Sequence, residues 1–575
     1  MASRLAVYWP GARIGVGANL VGVHVANVGL FRALARYGGF ERLDVLSHAT
    51  MDPAELAEDL LADDLPGRDL PAGAAAAGAL VPGSALDVQR LAETGAMLRG
   101  SPDLVDLAWL RRQTLGDRAY SLIGTIHTIA PPGVRGQIAG AAVGPIQPWD
   151  ALICTSPSVR SAMERMFEEW GAYIAERFGG TRWSRPHLPL IPLGVDGARL
   201  AALADRPAVR AAVRERLDVA PDDVLVLWVG RLSFFEKAFP QPMFRAVQEA
   251  ARAAGARVHF AMAGWFPDPV KDRQMYEQAA RAYAPAVPVH FLDGNDRAGV
   301  AELWAAADVF LSLVDNVQET FGIAPVEAMA AGLPVVVSDW DGYRATVRDG
   351  QEGFLVPTLL GSAGRFGRTL AIRHGLQIDS YQSYAGMVAQ STAVHVGRAA
   401  DALAALIRSP GLRRRMGQAG RARVREAFDW PVVAAQVNAL VDDLAAIRAA
   451  APAVPGDRVL NPVAGDPFRA FAGFATGVLS SRTPLAVRPG VDRSDLERTA
   501  GVALDNLYPF WRASPQECAR ILDLVAGGRV RTVGELLAEC PEPQRHRFEQ
   551  AVLWMAKLGL LDWLPDTETQ PAPDG

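Results

Sequence analysis

The sequence predicts two tandem α/β domains of the doubly wound kind, followed by a smaller, mostly helical domain. Three observations carry that reading. Short apolar runs ended by Gly, Pro or Asp alternate with amphipathic stretches from residue 5 to residue 357, as buried parallel strands and their crossover helices do. The alternation restarts near residue 200, as a second unit of the same type. An Ala/Pro stretch at 449–455 (AAAPAVP) reads as a linker, and a third region with its own apolar periodicity lies beyond it.

In order along the chain, Leu5–Tyr8 reads as a first strand, ended by Pro10 and Gly11. The Gly11–Gly22 loop follows, and then a helix over Val23–Tyr37 with Val25, Val28, Leu30 and Leu34 at helical spacing. Leu43–Leu46 is a second strand. Residues 52–100, rich in Ala, Asp and Pro, read as helices and loops. Ser121–Ile126 and Ala151–Thr155 are further strands. The second unit has strands at Val224–Val229, Val258–Met262, Val289–Leu292, Val309–Leu313 and Leu333–Ser338. Residues 358–395 are polar and weakly periodic and read as an insertion. The resulting boundaries are 1–197, 198–448 with a return helix over 428–448, 457–564, and a polar, Pro-rich tail over 565–575 expected to be disordered.

Composition excludes several classes. The chain has 575 residues, half of them hydrophobic and 21% charged, with a net charge of −5. That is a globular balance without the basic excess of a nucleic-acid binder. Cys154, Cys518 and Cys540 are too scattered for a disulfide framework or a zinc site and point to a reducing, cytoplasmic compartment. Ile14–Phe31 is free of charge but holds two Asn, a His and four Gly, so it is read as a glycine-rich loop and buried helix, not a membrane span. Peripheral contact at the inner membrane face stays open, although no basic amphipathic helix demands it.

Four constellations carry chemistry. In Gln318–Ala331 (QETFGIAPVEAMAA), Glu319 and Glu327 flank Phe321-Gly322-Ile323 ahead of a helix expected to begin around Val326. Carboxylates accept hydrogen bonds from vicinal hydroxyls, and N–H groups at a helix start bind anions. Gly230-Arg231 ends a strand, and Lys237 follows six residues later. Two cations there suit a diphosphate, and Lys237 is one of three lysines among 58 Lys plus Arg. The third constellation is the glycine-rich loop ending at Gly22, and the fourth is His127 at the end of Gly124–Thr128 (GTIHT). Asp339-Trp340-Asp341 reads as turn chemistry before Gly342, not as a metal site.

These pieces together resemble family 4 of the retaining glycosyltransferases (glycosyl transferases group 1), which have the GT-B fold: two Rossmann-like domains facing a cleft. The resemblance spans roughly 1–450. It is carried by Gly230-Arg231, Lys237, Glu319-x7-Glu327, Ala330–Val336 (AAGLPVV), Asp349–Val356 (DGQEGFLV), Val195-Asp196 as domain crossover and Phe428-Asp429-Trp430 before the return helix. It implies that Arg231 and Lys237 bind the donor diphosphate and that Glu319 holds donor-sugar hydroxyls. Backbone N–H groups near Phe321, Gly322 and Ile323 would lie on sugar or phosphate. Glu327 would take the ribose hydroxyls, Gly22 would admit the β-phosphate, and His127 would sit beside the reacting sugar.

The same resemblance implies retention of configuration, no metal, no cofactor and no protein nucleophile. The partners would be a nucleotide-diphosphate sugar and a carbohydrate or lipid-linked acceptor, as in polysaccharide or glycoconjugate synthesis. The alternatives are a nucleotide-sugar epimerase and a silent sugar-nucleotide sensor. Where the family commonly has Gly-Gly-x-Pro-Glu, this chain has Asp341-Gly342-Tyr343-Arg344-Ala345, which leaves the donor sugar open. Thr532–Leu561 resembles a helix-turn-helix or winged-helix unit. Residues 457–575 carry 13 Arg plus Lys against 16 Asp plus Glu, so oligomerisation or a protein partner is favoured over DNA. Trp511, Trp554 and Trp563 are expected in its core.

Overall fold

The computed structural model describes residues 4–9, 22–47, 80–180, 183–452 and 460–563. The chain divides into two compact units, Met1–Val459 and Leu460–Gly575.

The first unit holds two parallel six-stranded sheets. The first comprises β1 (Arg4–Tyr8), β2 (Arg42–Ser47), β3 (Leu80–Ser84), β4 (Ala96–Arg99), β5 (Ser121–Ile126) and β6 (Ala151–Cys154), in the order 3-2-1-4-5-6. The second comprises β7 (Val224–Val229), β8 (Val258–Gly264), β9 (Val289–Asp293), β10 (Val309–Ser312), β11 (Val335–Ser338) and β12 (Gly353–Val356), in the order 12-11-10-7-8-9. Counted within each sheet, the two orders are the same. Each is Rossmann-like, with a switch of winding direction between β1 and β4 and again between β7 and β10. The strands are apolar along their length because helices cover both faces: Leu225, Val226 and Leu227 are fully buried, as are Val335, Val336 and Val337.

The expectation of only helices and loops over 52–100 is corrected by β3 and β4. β3 carries Pro82 and Gly83, which break the apolar signal but are tolerated because β3 pairs on one side only. β4 is only four residues long.

The helix over Trp430–Ala450 returns to the first domain. Its Val433, Val437, Val441 and Leu444 are buried with Leu5, Val7, Leu43 and Ile123 of the first sheet. The Trp430 ring lies in a slot between Gly194 of the crossover and Gly29 of the first helix. A Cβ added at either would come within 2.3 or 2.6 Å of the ring. Val195 N–H donates to Phe428 O at 2.9 Å and Trp430 N–H donates to Val195 O at 3.2 Å, tying crossover and return together. Two Rossmann-like domains closed by a returning helix are the GT-B arrangement that the resemblance implies.

The first domain is pinned by a buried ion pair. Arg111 and Asp150 are both fully buried, with Arg111 donating to Asp150 Oδ1 at 2.6 Å and to Oδ2 at 2.8 Å. Arg111 also donates to Tyr120 O at 2.7 Å, and Asp150 accepts from the N–H groups of Leu122 and Gln147, both at 2.8 Å. One carboxylate thereby fixes β5, the approach to β6 and the helix Val105–Thr114 that carries Arg111.

Residues 358–395 form a small outgrowth of the second domain. Thr358–Leu360 pairs antiparallel with Thr392–Val394, and helices Arg365–Gly375 and Tyr381–Gln390 lie between. The second unit packs helices Arg493–Ala500, Pro515–Ala526, Val533–Ala538 and Arg545–Lys557 around Ile521, Leu536 and Met555, with two-residue strands at 486–487 and 561–562. Two of its tryptophans correct the expectation. Trp511 and Trp563 are exposed, and Trp554 is partly buried, with the Arg512 guanidinium 4.0 Å over its ring. The 565–575 tail and most of the Gly11–Gly22 loop lie outside the described residues.

Candidate functional site

The switch between β7 and β10 places two distant loops side by side at the carboxyl ends of the strands, where open α/β sheets hold ligands. Lys237 lies in the loop after β7 and Glu319 in the loop after β10. Their side chains form an ion pair across 82 positions of sequence. Six residues before Lys237, Arg231 pairs with Glu236 at 2.5 Å and stands over the Trp265 ring at 5.8 Å. Both cations expected to meet a diphosphate are therefore held by carboxylates of the protein itself.

Burial pushes the Glu319 carboxyl up. The Lys237 ammonium and the N–H groups of Thr320 and Phe321 outweigh that and hold it below the usual range. Glu319 is therefore ionised at neutral pH. The Phe321 amide, expected to be free for a ligand, is already turned on Glu319. The loop's shape is fixed from below. Phe239 N–H lies 3.4 Å from the buried Asp315 carboxyl, Asn316 Nδ2 donates to Phe235 O at 2.7 Å, and Trp340 Nε1 donates to Asn316 O at 2.9 Å.

The helix after this loop spans Ile323–Ala331, three residues earlier than the sequence reading placed its start. Gly322 makes the difference, ending the loop at φ 85° directly before Ile323. Glu327 thus sits in the second turn. Burial raises its carboxyl to about 7, against the pull of Arg199 and Lys237.

Gly322 is constrained twice, since a Cβ there would lie 1.9 Å from Tyr343 Cε1. Tyr343, the bulky departure from the family turn, is wholly buried, with its hydroxyl 2.8 Å from Ser312 Oγ. It is a buttress under the Glu319 loop. Gly322→Ala is expected to destabilise the fold by about 2 kcal/mol or more. A thermal melt with an unchanged midpoint would contradict it.

The first domain meets this loop at its own strand ends. Thr320 Oγ1 donates to His127 O at 2.7 Å, Ser156 Oγ donates to Asp341 Oδ1 at 3.0 Å, and Ser158 Oγ donates to Asp341 O at 3.3 Å. His127 therefore does come to the edge of the Glu319 loop. Its Nε2 is 2.8 Å from Asn27 Oδ1, and Asn27 Nδ2 donates to Gly100 O at 2.9 Å. With the Asn27 amide oriented by Gly100, Nε2 carries the proton and Nδ1 is left as an acceptor. Burial drives the His127 pKa down to about 4, so the ring is neutral at pH 7.

Asp339 and Asp341 take separate partners. Asp339 pairs with Arg344 at 3.0 Å, whereas Asp341, at φ 42° in the turn, faces Ser156. Burial raises the Asp341 carboxyl to about 7. Gly22 is the first residue of the helix Gly22–Tyr37.

Several participants escaped the sequence reading. Glu236, Asn27 and Asn316 belong to no motif, Thr320 stands unassigned inside Gln318–Ala331, and their partners lie up to 193 positions away. Tyr381, from the 358–395 outgrowth, donates to Gln318 Oε1 at 2.7 Å, immediately beside Glu319. Only the position of Glu236 next to Lys237 could have drawn notice.

Residues 209–362 match the family model described as glycosyl transferases group 1. The chain is 36% identical over 172 residues to a phosphatidyl-myo-inositol mannosyltransferase of Mycobacterium leprae, covering 29% of this chain and 36% of that protein. It is 30% identical over 296 residues to a D-inositol 3-phosphate glycosyltransferase of Geodermatophilus obscurus, covering 47% and 61%. The matched part thus spans between about a third and three fifths of those relatives' lengths. Among solved structures, an Anabaena protein in complex with UDP aligns with a TM-score of 0.48 at 16% identity, over 77% of this chain and 100% of that one. Among the described residues, no helix is long and apolar enough to cross a membrane, and no group of three or more potential metal ligands occurs.

Proposed function

We propose that this chain, whose residues 209–362 match the glycosyl transferases group 1 model, moves a sugar from a nucleotide-diphosphate sugar onto a hydroxyl acceptor. The reading includes retention of configuration, no metal requirement and a reducing, cytoplasmic compartment. The observation that carries it is the Lys237–Glu319 pair at the strand switch point, bordered by His127 from the facing domain.

In this reading the donor diphosphate takes Lys237 and Arg231 from their present carboxylate partners. The positive charge then stabilises the departing diphosphate as the glycosidic bond breaks. Glu319, freed of Lys237 but still held by backbone N–H groups, accepts hydrogen bonds from donor-sugar hydroxyls. Neutral His127 offers Nδ1 to a sugar hydroxyl and adds no charge beside the developing oxocarbenium ion. The acceptor hydroxyl loses its proton to the leaving diphosphate on the same face. No side chain need attack the sugar, so catalysis rests on positioning and charge.

Glu327 supplies a pH signature. Two ribose hydroxyls are best accepted by an ionised carboxylate, yet burial keeps this one protonated up to about 7. Binding must expel that proton below its folded pKa. Affinity for an intact donor should therefore fall about tenfold per pH unit below about 7 and level off above it. Glu327→Gln should flatten the profile. A wild-type profile already flat between about pH 5.5 and 7.5 would remove Glu327 from the ribose site.

The direct test is a thermal-shift series with UDP, GDP, ADP and their sugars, with and without EDTA, followed by assay of sugar transfer with the donor that binds. Stabilisation by one nucleotide, insensitive to EDTA, and transfer with retained anomeric configuration are expected. Binding lost in EDTA would overturn the metal-free reading, and no stabilisation by any nucleotide would overturn the donor site itself.

A further inference from the structure

The outgrowth at 358–395 presents to solvent what a surface helix ordinarily hides. The helix Arg365–Gly375 buries Leu370, yet Ile372 is 61% exposed and Leu376, just past its end, 68% exposed. At 3.6 residues per turn these two, four positions apart, share a face that points away from the Leu370 side. Phe366, Leu359, Leu360 and Ile378 of the same segment are also more than half exposed.

Arg365 and Arg368 lie on the turns beside Ile372 and Leu376, and both are exposed. Arg373 is engaged by Asp379 through hydrogen bonds of 2.7 and 2.8 Å. Arg365 and Arg368 have no acidic partner among the described residues. The segment carries three arginines against one aspartate in a chain whose net charge is −5.

The segment is not a loose arm. Tyr381 anchors it to Gln318, Gly386 lies against Phe235, and its two strands pair along three residues. The apolar face is therefore held outward by a seated structure. An apolar stripe flanked by unpaired guanidinium groups is complementary to one kind of surface, anionic headgroups over acyl chains. A protein partner would need its own carboxylates to meet the arginines and its own apolar patch. A bilayer containing anionic lipid offers both together.

We propose that the 365–378 face docks this protein onto an anionic lipid surface, with Ile372 and Leu376 entering the headgroup boundary and Arg365 and Arg368 on the phosphates. The same segment touches the Glu319 loop through Tyr381, so the docked surface lies beside the candidate site. The proposal does not depend on the transferase reading, because its test measures no transfer.

The experiment is co-sedimentation of the full chain with vesicles of phosphatidylcholine alone and of phosphatidylcholine mixed with phosphatidylglycerol, at low and high salt. Binding to the mixed vesicles, weakened by salt, is expected. Arg365→Gln with Arg368→Gln should lower the partition coefficient about tenfold or more, and Ile372→Ser with Leu376→Ser should abolish binding. All four side chains are exposed and outside the donor site, so thermal midpoints and any nucleotide-induced shift should stay as in the wild type. No binding to anionic vesicles, or equal binding by both variants, would overturn the proposal. So would an oligomer, seen by light scattering, that Ile372→Ser with Leu376→Ser converts to monomer, since the face would then belong to a second copy of the chain.

Discussion

Lys237→Ala is expected to reduce sugar transfer between about a hundredfold and a thousandfold, the range for losing one preorganised charge contact to a departing anion. The effect has two parts. The diphosphate loses a compact cation that Arg231, held by Glu236, does not replace. Glu319 also loses the ammonium that offsets its burial, so its carboxyl rises and only the Thr320 and Phe321 N–H groups are left to stabilise its charge. The sign follows: with Lys237 present Glu319 stays ionised below the usual carboxylate range, and without it the ionised form becomes costly. Lys237→Ala/Glu319→Gln should therefore recover much of any lost thermal stability and none of the activity. Single-turnover assays at saturating donor separate lost binding from lost chemistry. Near-wild-type transfer by Lys237→Ala would remove the pair from the mechanism.

Asp150→Ala carries the largest expected loss of stability, about 3–5 kcal/mol, because it leaves the Arg111 guanidinium charged and unpaired in a dry interior. Burial opposes the charged form of Arg111, and the Asp150 carboxylate is the main group that offsets it. The Leu122 and Gln147 amides lose their acceptor in the same substitution. Replacing both partners by apolar residues of similar size, Arg111→Met with Asp150→Leu, should be milder than either single loss. Thermal or urea unfolding decides it, and an Asp150→Ala protein as stable as the wild type would refute the account. His127 lies just beyond β5, which this pair holds, so the marginally folded variant should also lose donor-linked stabilisation.

Much of the site was legible in the sequence for a local reason. The Glu319-x7-Glu327 spacing, Gly322 before the helix and Lys237 after Gly230-Arg231 are sequence-near features, and they fall in the loops after β7 and β10 and on the helix that follows β10. The helix start was misplaced because Gly322 adopts φ 85°, a backbone choice that composition does not announce. Trp511 and Trp563 of the second unit were misassigned because an apolar residue type does not say whether a helix covers it.

The sequence by itself determined that two apolar-stranded α/β units stand in tandem, that a helix after Phe428-Asp429-Trp430 follows the second, and that carboxylates and cations cluster at strand ends. Those are properties of runs and short spacings, which backbone periodicity converts directly into local structure. Tertiary structure decided the rest. It joined Lys237 to Glu319, set the His127 tautomer through Asn27, buried Arg111 on Asp150 and seated Trp430 between two glycines. It also decided which side of the 365–375 helix faces the protein, leaving Ile372 and Leu376 in solvent. Periodicity fixes the faces of a helix, but only the packing of distant segments determines which face is covered, and with it the charge and chemistry that a side chain meets.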